Sequence, residues 1–203
     1  MMTKEPFLEP KLAYRLQDSL YLNITNSCPN RCRFCIREIS GGVGYDLWLA
    51  HEPDLAEIIA AIGDLHDYRE IVFCGYGEPL TRPEIVVAVS KYLKEQTKIP
   101  IRLNTNGLAD LFLTIDILPQ LQGLIETISI SLNAHSASSY LEITQTPYGE
   151  RAFPALLEFI KRSKRYFPQV IVSVVRYQGL DLEKAKQLAT ELDVEFRLRE
   201  YQN

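Results

Sequence analysis

Six short runs rich in β-branched residues, each separated from the next by a longer stretch with helical spacing of its apolar residues, constrain this chain more than any other feature. The runs are Leu20 to Thr25, Ile71 to Phe73, Ile101 to Leu103, Thr127 to Ser131, Val170 to Val175 and Val194 to Leu198. Between them, Ile85, Ala88, Val89 and Tyr92 share one helical face, as do Phe153, Leu156, Leu157 and Ile160, and again Leu182, Ala185, Ala189 and Leu192. Strands that alternate with helices pair in parallel, because a parallel neighbour is reached only by a crossover. Two architectures fit: a doubly wound open sheet, or a partial barrel related to the eightfold one. Both place functional side chains at the carboxyl ends of the strands, so those ends are where chemistry is to be sought.

With 203 residues the chain is one domain's worth, and the alternation divides it into a lead-in over residues 1–18 and a core over 19–203. A formal net charge of −4 provides no field that would hold a polyanion. No run of about 18 apolar residues is present, and Met1 to Pro6 lack the apolar core of a signal peptide, so a cytoplasmic protein with no membrane association is expected. In that reducing setting clustered cysteines point to metal or redox chemistry rather than to disulfides.

Three of the four cysteines fall between Cys28 and Cys35, directly after the first strand, in the segment Asn26-Ser27-Cys28-Pro29-Asn30-Arg31-Cys32-Arg33-Phe34-Cys35-Ile36-Arg37. Thiolates spaced Cys-x3-Cys-x2-Cys can wrap three corners of an iron–sulfur cube and leave the fourth iron open for chemistry. Arg31, Arg33 and Arg37 would favour the thiolate forms. The competing reading, a closed zinc site, needs a distant fourth ligand from Cys74, His51, His66 or His135, none of which has a paired spacing.

The other strand ends carry polar clusters. Cys74-Gly75-Tyr76-Gly77-Glu78-Pro79 follows the second strand and combines close backbone approach with a carboxylate suited to an ammonium group. Asn104-Thr105-Asn106-Gly107 follows the third. In the fourth, Ser129 and Ser131 alternate with Ile128 and Ile130, so both hydroxyls share one face. The fifth strand ends in Arg176, and the sixth carries Arg197 and Arg199; a rim arginine can pair with a carboxylate or phosphate, although taken singly each reads as solvent-facing.

Cys-x3-Cys-x2-Cys with Phe34 before the last cysteine resembles the signature of the radical S-adenosylmethionine (SAM) superfamily. The resemblance implies an α/β fold, a partial (βα)6 TIM-type barrel of parallel strands in a single domain. It implies a radical SAM enzyme in which Cys28, Cys32 and Cys35 bind a 4Fe-4S cluster. The open iron is chelated by the amino and carboxylate groups of SAM, and an electron from the cluster cleaves SAM to a 5'-deoxyadenosyl radical that abstracts hydrogen from a substrate. Gly75, Tyr76, Gly77 and Glu78 resemble the family's Gly-Gly-Glu-Pro segment, with Tyr76 inserted, and would bind the SAM ammonium. Thr105-Asn106-Gly107 matches the family's Thr-Asn-Gly; Asn104, Ser131, Asn133 and Arg176 would contact the SAM carboxylate or ribose, Ser131-Leu132-Asn133 being similar to the ribose-binding segment. Gln145 stands where a basic residue or Cys is expected. Ser19 to Asn26, Tyr45 to Leu49, Phe73 to Pro79 and Arg102 to Gly107 together resemble the TatD-linked radical SAM proteins, a subgroup with no reaction to carry over.

Only Cys74 remains outside the triad, so an auxiliary cluster cannot be built. The electron is expected from an external one-electron donor of the flavodoxin or ferredoxin kind. Four residues follow the sixth strand's Arg199, so a cap over the barrel mouth is expected to come from a large substrate, a protein or a nucleic acid, or from a partner protein. Ser40 to Gly44 with Tyr45 to Trp48 reads as a lid or as a plain connecting loop, and Lys161 to Arg165 as a basic helix face where an acidic partner could dock. The alternative from another class is a non-catalytic zinc- or iron-sulfur-binding module acting through a partner.

Overall fold

Each β-branched run does become a strand in the computed structural model, which describes residues 11–38 and 43–200. The strands are β1 (Ala13–Leu16), β2 (Ser19–Leu22), β3 (Glu70–Phe73), β4 (Ile101–Thr105), β5 (Thr127–Ser131), β6 (Gln169–Arg176) and β7 (Glu195–Glu200). They form one open sheet in sequence order, with β2 to β7 all parallel. This is the α/β partial barrel expected for residues 19 onward. The described end of the lead-in differs: Ala13–Leu16 turns back through Gln17, whose φ is 53°, and pairs antiparallel with β2 as a seventh strand. A four-residue polar–apolar stretch gives too short a period to be read as a strand, and pairing with the edge of β2 is what orders it.

Strand alternation separates two faces. Leu20, Leu22, Ile71, Phe73, Ile101, Leu103, Ile128, Ile130, Val172 and Val174 occupy one face and merge with helical side chains into a single core. The helices are α1 (Leu55–Ile62), α2 (Pro83–Gln96), α3 (Ala109–Phe112), α4 (Leu118–Leu121), α5 (Ala137–Thr144), α6 (Ala152–Ser163) and α7 (Leu182–Glu191). Their buried apolar residues, among them Ile58, Val89, Leu93, Leu156, Ile160 and Ala185, all join that core, so the helices cover one face and leave the other as the barrel interior.

Local chemistry sets where the helices start. Asp54 accepts from Glu57 N while the Glu57 carboxylate accepts from Asp54 N, a closed capping box at α1. Pro83 opens α2 at a position that needs no backbone N–H. The expected face of α2 is rotated by one residue: Val86, Val89, Ser90 and Leu93 are buried, whereas Ile85 and Tyr92 lie at its margin. Five consecutive apolar residues from Ile85 to Val89 leave the facing direction to packing rather than to periodicity.

Candidate functional site

The chain leaves β2 and enters the three-cysteine loop under close backbone control. Thr25 Oγ accepts from Ser27 N at 2.9 Å and donates to Glu52 at 2.9 Å. Asn26 exchanges two hydrogen bonds with the Leu49 backbone, at 2.7 and 3.0 Å. Arg31 N and Arg33 N donate to the carbonyls of Thr144 and Ile143 at the end of α5. Cys35 N then donates to Cys32 O, and the short 3-10 turn Ile36–Glu38 brings Arg37 back over the loop. Its guanidinium donates to Cys35 Sγ at 3.3 Å, to Asn30 O at 3.3 Å and to Asn26 O at 3.5 Å.

Cys28, Cys32 and Cys35 are free, half-buried thiols. Burial pushes the Cys28 thiol up to about 11, with Glu78 and Cys35 adding repulsion. Burial pushes Cys32 up to about 12, with Cys28 and Cys35 reinforcing the shift. Of the arginines expected to favour thiolates, Arg37 acts in that direction at both cysteines, but burial outweighs it. Arg33 is spent on Glu142 at 2.9 Å, and Arg37 offsets only part of the desolvation. Cys28 and Cys32, held protonated by burial, lie within electrostatic reach of each other and of Cys35, a donor set that a metal centre would deprotonate on binding. Among the described residues no three His, Cys, Asp or Glu converge on a single-ion site. A cluster attaches each thiolate to a different iron, so its ligands need not converge. A cavity of about 400 Å³ beside Cys32 and Cys35 is lined by Arg31, Arg33, Arg37, Glu38, Trp48 and Gln145.

The turn after β3 lies against this loop. Cys74 N donates to Leu22 O and Glu78 N to Ser27 O. A Cβ on Gly77 would stand 2.4 Å from Thr25 O and 2.7 Å from Ser27 O, and one on Gly75 would stand 1.9 Å from Asn23 Oδ1. Both glycines are therefore fixed by contact. Tyr76 is buried and meets Trp48 edge-on, with ring centroids 5.2 Å apart. Glu78, only 3% exposed, accepts from Leu80 N at 3.0 Å, Thr105 Oγ at 2.8 Å and Asn106 N at 2.6 Å. It ties the end of β3 to the end of β4. Burial pushes its carboxyl up to about 7 despite these three donors.

Asn104 and Ser131 point to the barrel interior, where Asn104 Oδ1 accepts from Arg102 at 2.9 Å and Ser131 lies 3.5 Å from Arg199. Asn133 is buried in a left-handed conformation with φ 56°, and its Oδ1 has no partner among the described residues. Arg176 departs from the expected grouping: it shares the register face of Val172 and Val174 and pairs with Glu200 at 2.9 Å. Sequence reasoning missed Thr105 as a donor to Glu78 and Arg37 as a donor to Cys35. It missed too the interior pair of Arg102 with Glu70, at 2.8 Å, since only the register of β3 with β4 brings them together. Half of the basic run is consumed, Arg162 by Asp110 and Asp116 and Lys164 by Asp193, while Lys161 and Arg165 are exposed. Ser40 to Gly42 of the suspected lid lie outside the described residues; of its remainder Leu47 is buried and Trp48 is 47% exposed.

Fold and site together define an α/β partial-barrel protein with a three-cysteine loop at the strand ends. This chain belongs to the Radical SAM superfamily, whose family model matches residues 22–192. It is an enzyme of the radical SAM class, and the family's cofactors are a 4Fe-4S cluster and SAM. It is 28% identical over 168 residues to a GTP 3',8-cyclase of Lactiplantibacillus plantarum, an alignment covering 81% of this chain and 47% of the relative. Against the GTP 3',8-cyclase of Paenarthrobacter nicotinovorans it is 24% identical over 139 residues, covering 66% and 37%. The chain thus spans less than half the length of these relatives. Among solved structures, anSMEcpe with bound AdoMet superposes with a TM-score of 0.63 at 14% identity, covering 90% of this chain and 51% of that one. Streptococcus suis SuiB bound to the precursor peptide SuiA superposes with a TM-score of 0.61 at 16% identity, covering 91% and 39%. These two superpositions report the fold. Among the described residues no helix is long and apolar enough to cross a membrane.

Proposed function

We propose that this chain cleaves SAM reductively at a cluster held by Cys28, Cys32 and Cys35, and directs the resulting hydrogen abstraction into the interior of the open barrel. The observation that carries the reading is the fastening of the cysteine loop to the Gly75–Glu78 turn, through Glu78 N to Ser27 O and the Gly77 approach to Thr25. The cluster ligands and the SAM-binding turn are thereby built as one unit. When bound, the cluster supplies the electron and SAM the 5'-deoxyadenosyl radical.

The residues of the chain divide the remaining work. The backbone of Gly75, Tyr76 and Gly77 faces the ligand ammonium. Glu78 uses three of about four acceptor positions on its own fold, which leaves one for the ammonium. Asn104, Ser131 and Asn133 hold the carboxylate or ribose, and the unpartnered Asn133 Oδ1 suits a ribose hydroxyl. Arg176, engaged with Glu200, is left out of this set. Arg31 and Arg37, which have no carboxylate ion pair among the described residues, suit an acidic one-electron donor of the flavodoxin or ferredoxin kind docking at that mouth. The four segments that resemble the TatD-linked proteins support placing the chain in that subgroup, and a cytoplasmic setting fits cluster chemistry. A protein or nucleic-acid substrate, or a partner that closes the barrel, is part of the same reading.

Anaerobic reconstitution followed by dithionite and SAM tests it. The expected outcome is a brown protein with about four irons that forms 5'-deoxyadenosine, and a colourless Cys32→Ala variant that forms none. A protein that retains the cluster yet releases no 5'-deoxyadenosine with any reductant overturns the proposal.

A further inference from the structure

Across β4 to β7 the interior face of the barrel mixes polar side chains with the apolar Ile171 and Val175, whereas the helix-covered face is apolar. Register places Arg102 and Asn104 of β4, Ser129 and Ser131 of β5, Ser173 of β6, and Arg197 and Arg199 of β7 side by side across four neighbouring strands. They line a cavity of about 30 Å³, room for the oxygens of one small anionic group. Below it the strands are closed by polar pairs, Thr127 to Gln169 at 2.9 Å, Gln169 to Glu195 at 2.6 Å and Arg102 to Glu70 at 2.8 Å. The cavity is therefore a pocket with a floor.

Two observations give that pocket an anionic occupant. The first is charge. Arg102 is held by Glu70, and Arg197 has Glu195 at 3.9 Å, whereas Arg199 has no carboxylate partner among the described residues and touches only Ser131. The second is a pair of hydroxyls that open into the cavity with no protein partner. Ser129 and Ser173 are 5% and 3% exposed, and neither hydroxyl has a hydrogen-bond partner among the described residues. A sheet face that has no ligand would fill such positions with Val or Ile, as the opposite face does. Hydroxyl donors that open into a cavity beside a guanidinium with no carboxylate partner are the recognition chemistry of a carboxylate or a phosphoryl group.

The geometry points to an anion subsite in which Arg199, Arg197, Ser129 and Ser173 hold a carboxylate or phosphoryl group of the substrate. It deepens the proposed function, because it takes the barrel interior as the reaction chamber. The anion would anchor the substrate on β5 to β7, on the far side of β4 from the cysteine loop, so that another part of the molecule meets the radical. No covalent step is assigned to these side chains; they position.

Calorimetric titration of the reconstituted protein with inorganic phosphate and, separately, with acetate tests the subsite, each with and without saturating SAM. The expected result is binding of at least one anion at one site, retained with saturating SAM even though Asn104 and Ser131 belong to the wall shared with SAM, and weakened roughly tenfold in Arg199→Gln and in Ser173→Ala. The tighter of the two anions distinguishes a phosphoryl from a carboxylate group. Absence of binding, equal binding by both variants, or displacement of the anion by SAM overturns the subsite. Circular dichroism of Arg199→Gln, whose side chain is exposed, guards against a misfolded variant. Cluster absorbance and 5'-deoxyadenosine release are read on the same samples, so failure of SAM cleavage is registered apart from failure of anion binding.

Discussion

Glu78 shows how one residue serves the fold and the site together. Burial outweighs its three hydrogen bonds and raises its carboxyl from an ordinary value of 4.5 to about 7. Between those values the folded state binds more proton than the unfolded one, so stability from this group is full below about 4.5 and lost as pH rises to about 7. In cluster-free protein, the unfolding free energy of wild type relative to Glu78→Gln is expected to fall by about 3 kcal/mol between pH 4.5 and 7, then level off. Urea titrations across that window measure it, and a rise instead of a fall would contradict the burial assignment. Gly77 makes a second residue-scale case. Its α-hydrogen faces the Thr25 carbonyl, so Gly77→Ala must push backbone against backbone. A loss of roughly 1–3 kcal/mol is expected, with iron content reduced because the displaced segment carries Cys28. Denaturation and iron assay check the two halves.

At the scale of elements, the cysteine loop is held by neighbours rather than by its own secondary structure. It hangs from α5 through Arg31 and Arg33, from the Leu49 segment through Asn26, and from the β3 turn through Ser27. Arg37 is the clasp, spanning Cys35 Sγ and two loop carbonyls with one planar fork. Replacing it removes both a donor to the Cys35 sulfur and a positive charge. Arg37→Ala is expected to lower the cluster midpoint potential by on the order of tens of millivolts and to weaken iron retention. Arg37→Lys should restore part of the potential without restoring retention, because a point charge cannot span three acceptors. A redox titration followed by electron paramagnetic resonance separates these effects.

For the whole molecule, the open sheet sets a gradient of rigidity. Leu103, Ile128, Ile130 and Val172 on the central strands are fully buried, while β1 and β7 are edges with mostly half-exposed or exposed residues. Hydrogen exchange is expected to be slowest in β4, β5 and β6 and fastest in β1 and β7, as read by mass spectrometry of peptides. The inverse order would contradict the sheet topology. Tyr14 joins the β1 edge to the site, since its hydroxyl donates to Cys74 O at 3.0 Å. The hairpin thus braces the glycine turn as well as shielding the edge of β2.

Much of this was legible in the chain itself. Periods of 2 and 3.6 are local properties, so the six parallel strands, their connecting helices and the inward direction of Ser129 and Ser131 follow from residue order alone. The cysteine triad is equally local, three thiols within one loop. What sequence could not reach depends on register and crossing. β1 escaped because four residues carry too little period. The α2 face was misjudged because an unbroken apolar run points nowhere until a sheet is present. Arg176 looked like its neighbours Arg197 and Arg199 until strand parity turned it to the other face and onto Glu200. The occupied carboxylate of Glu78, the clasp of Arg37 and the serine–arginine pocket each join side chains from separate segments. Residue order determined which groups arrive at the strand ends; only the tertiary structure decided which of them meet, because a contact is fixed by register and packing across strands that the chain visits far apart.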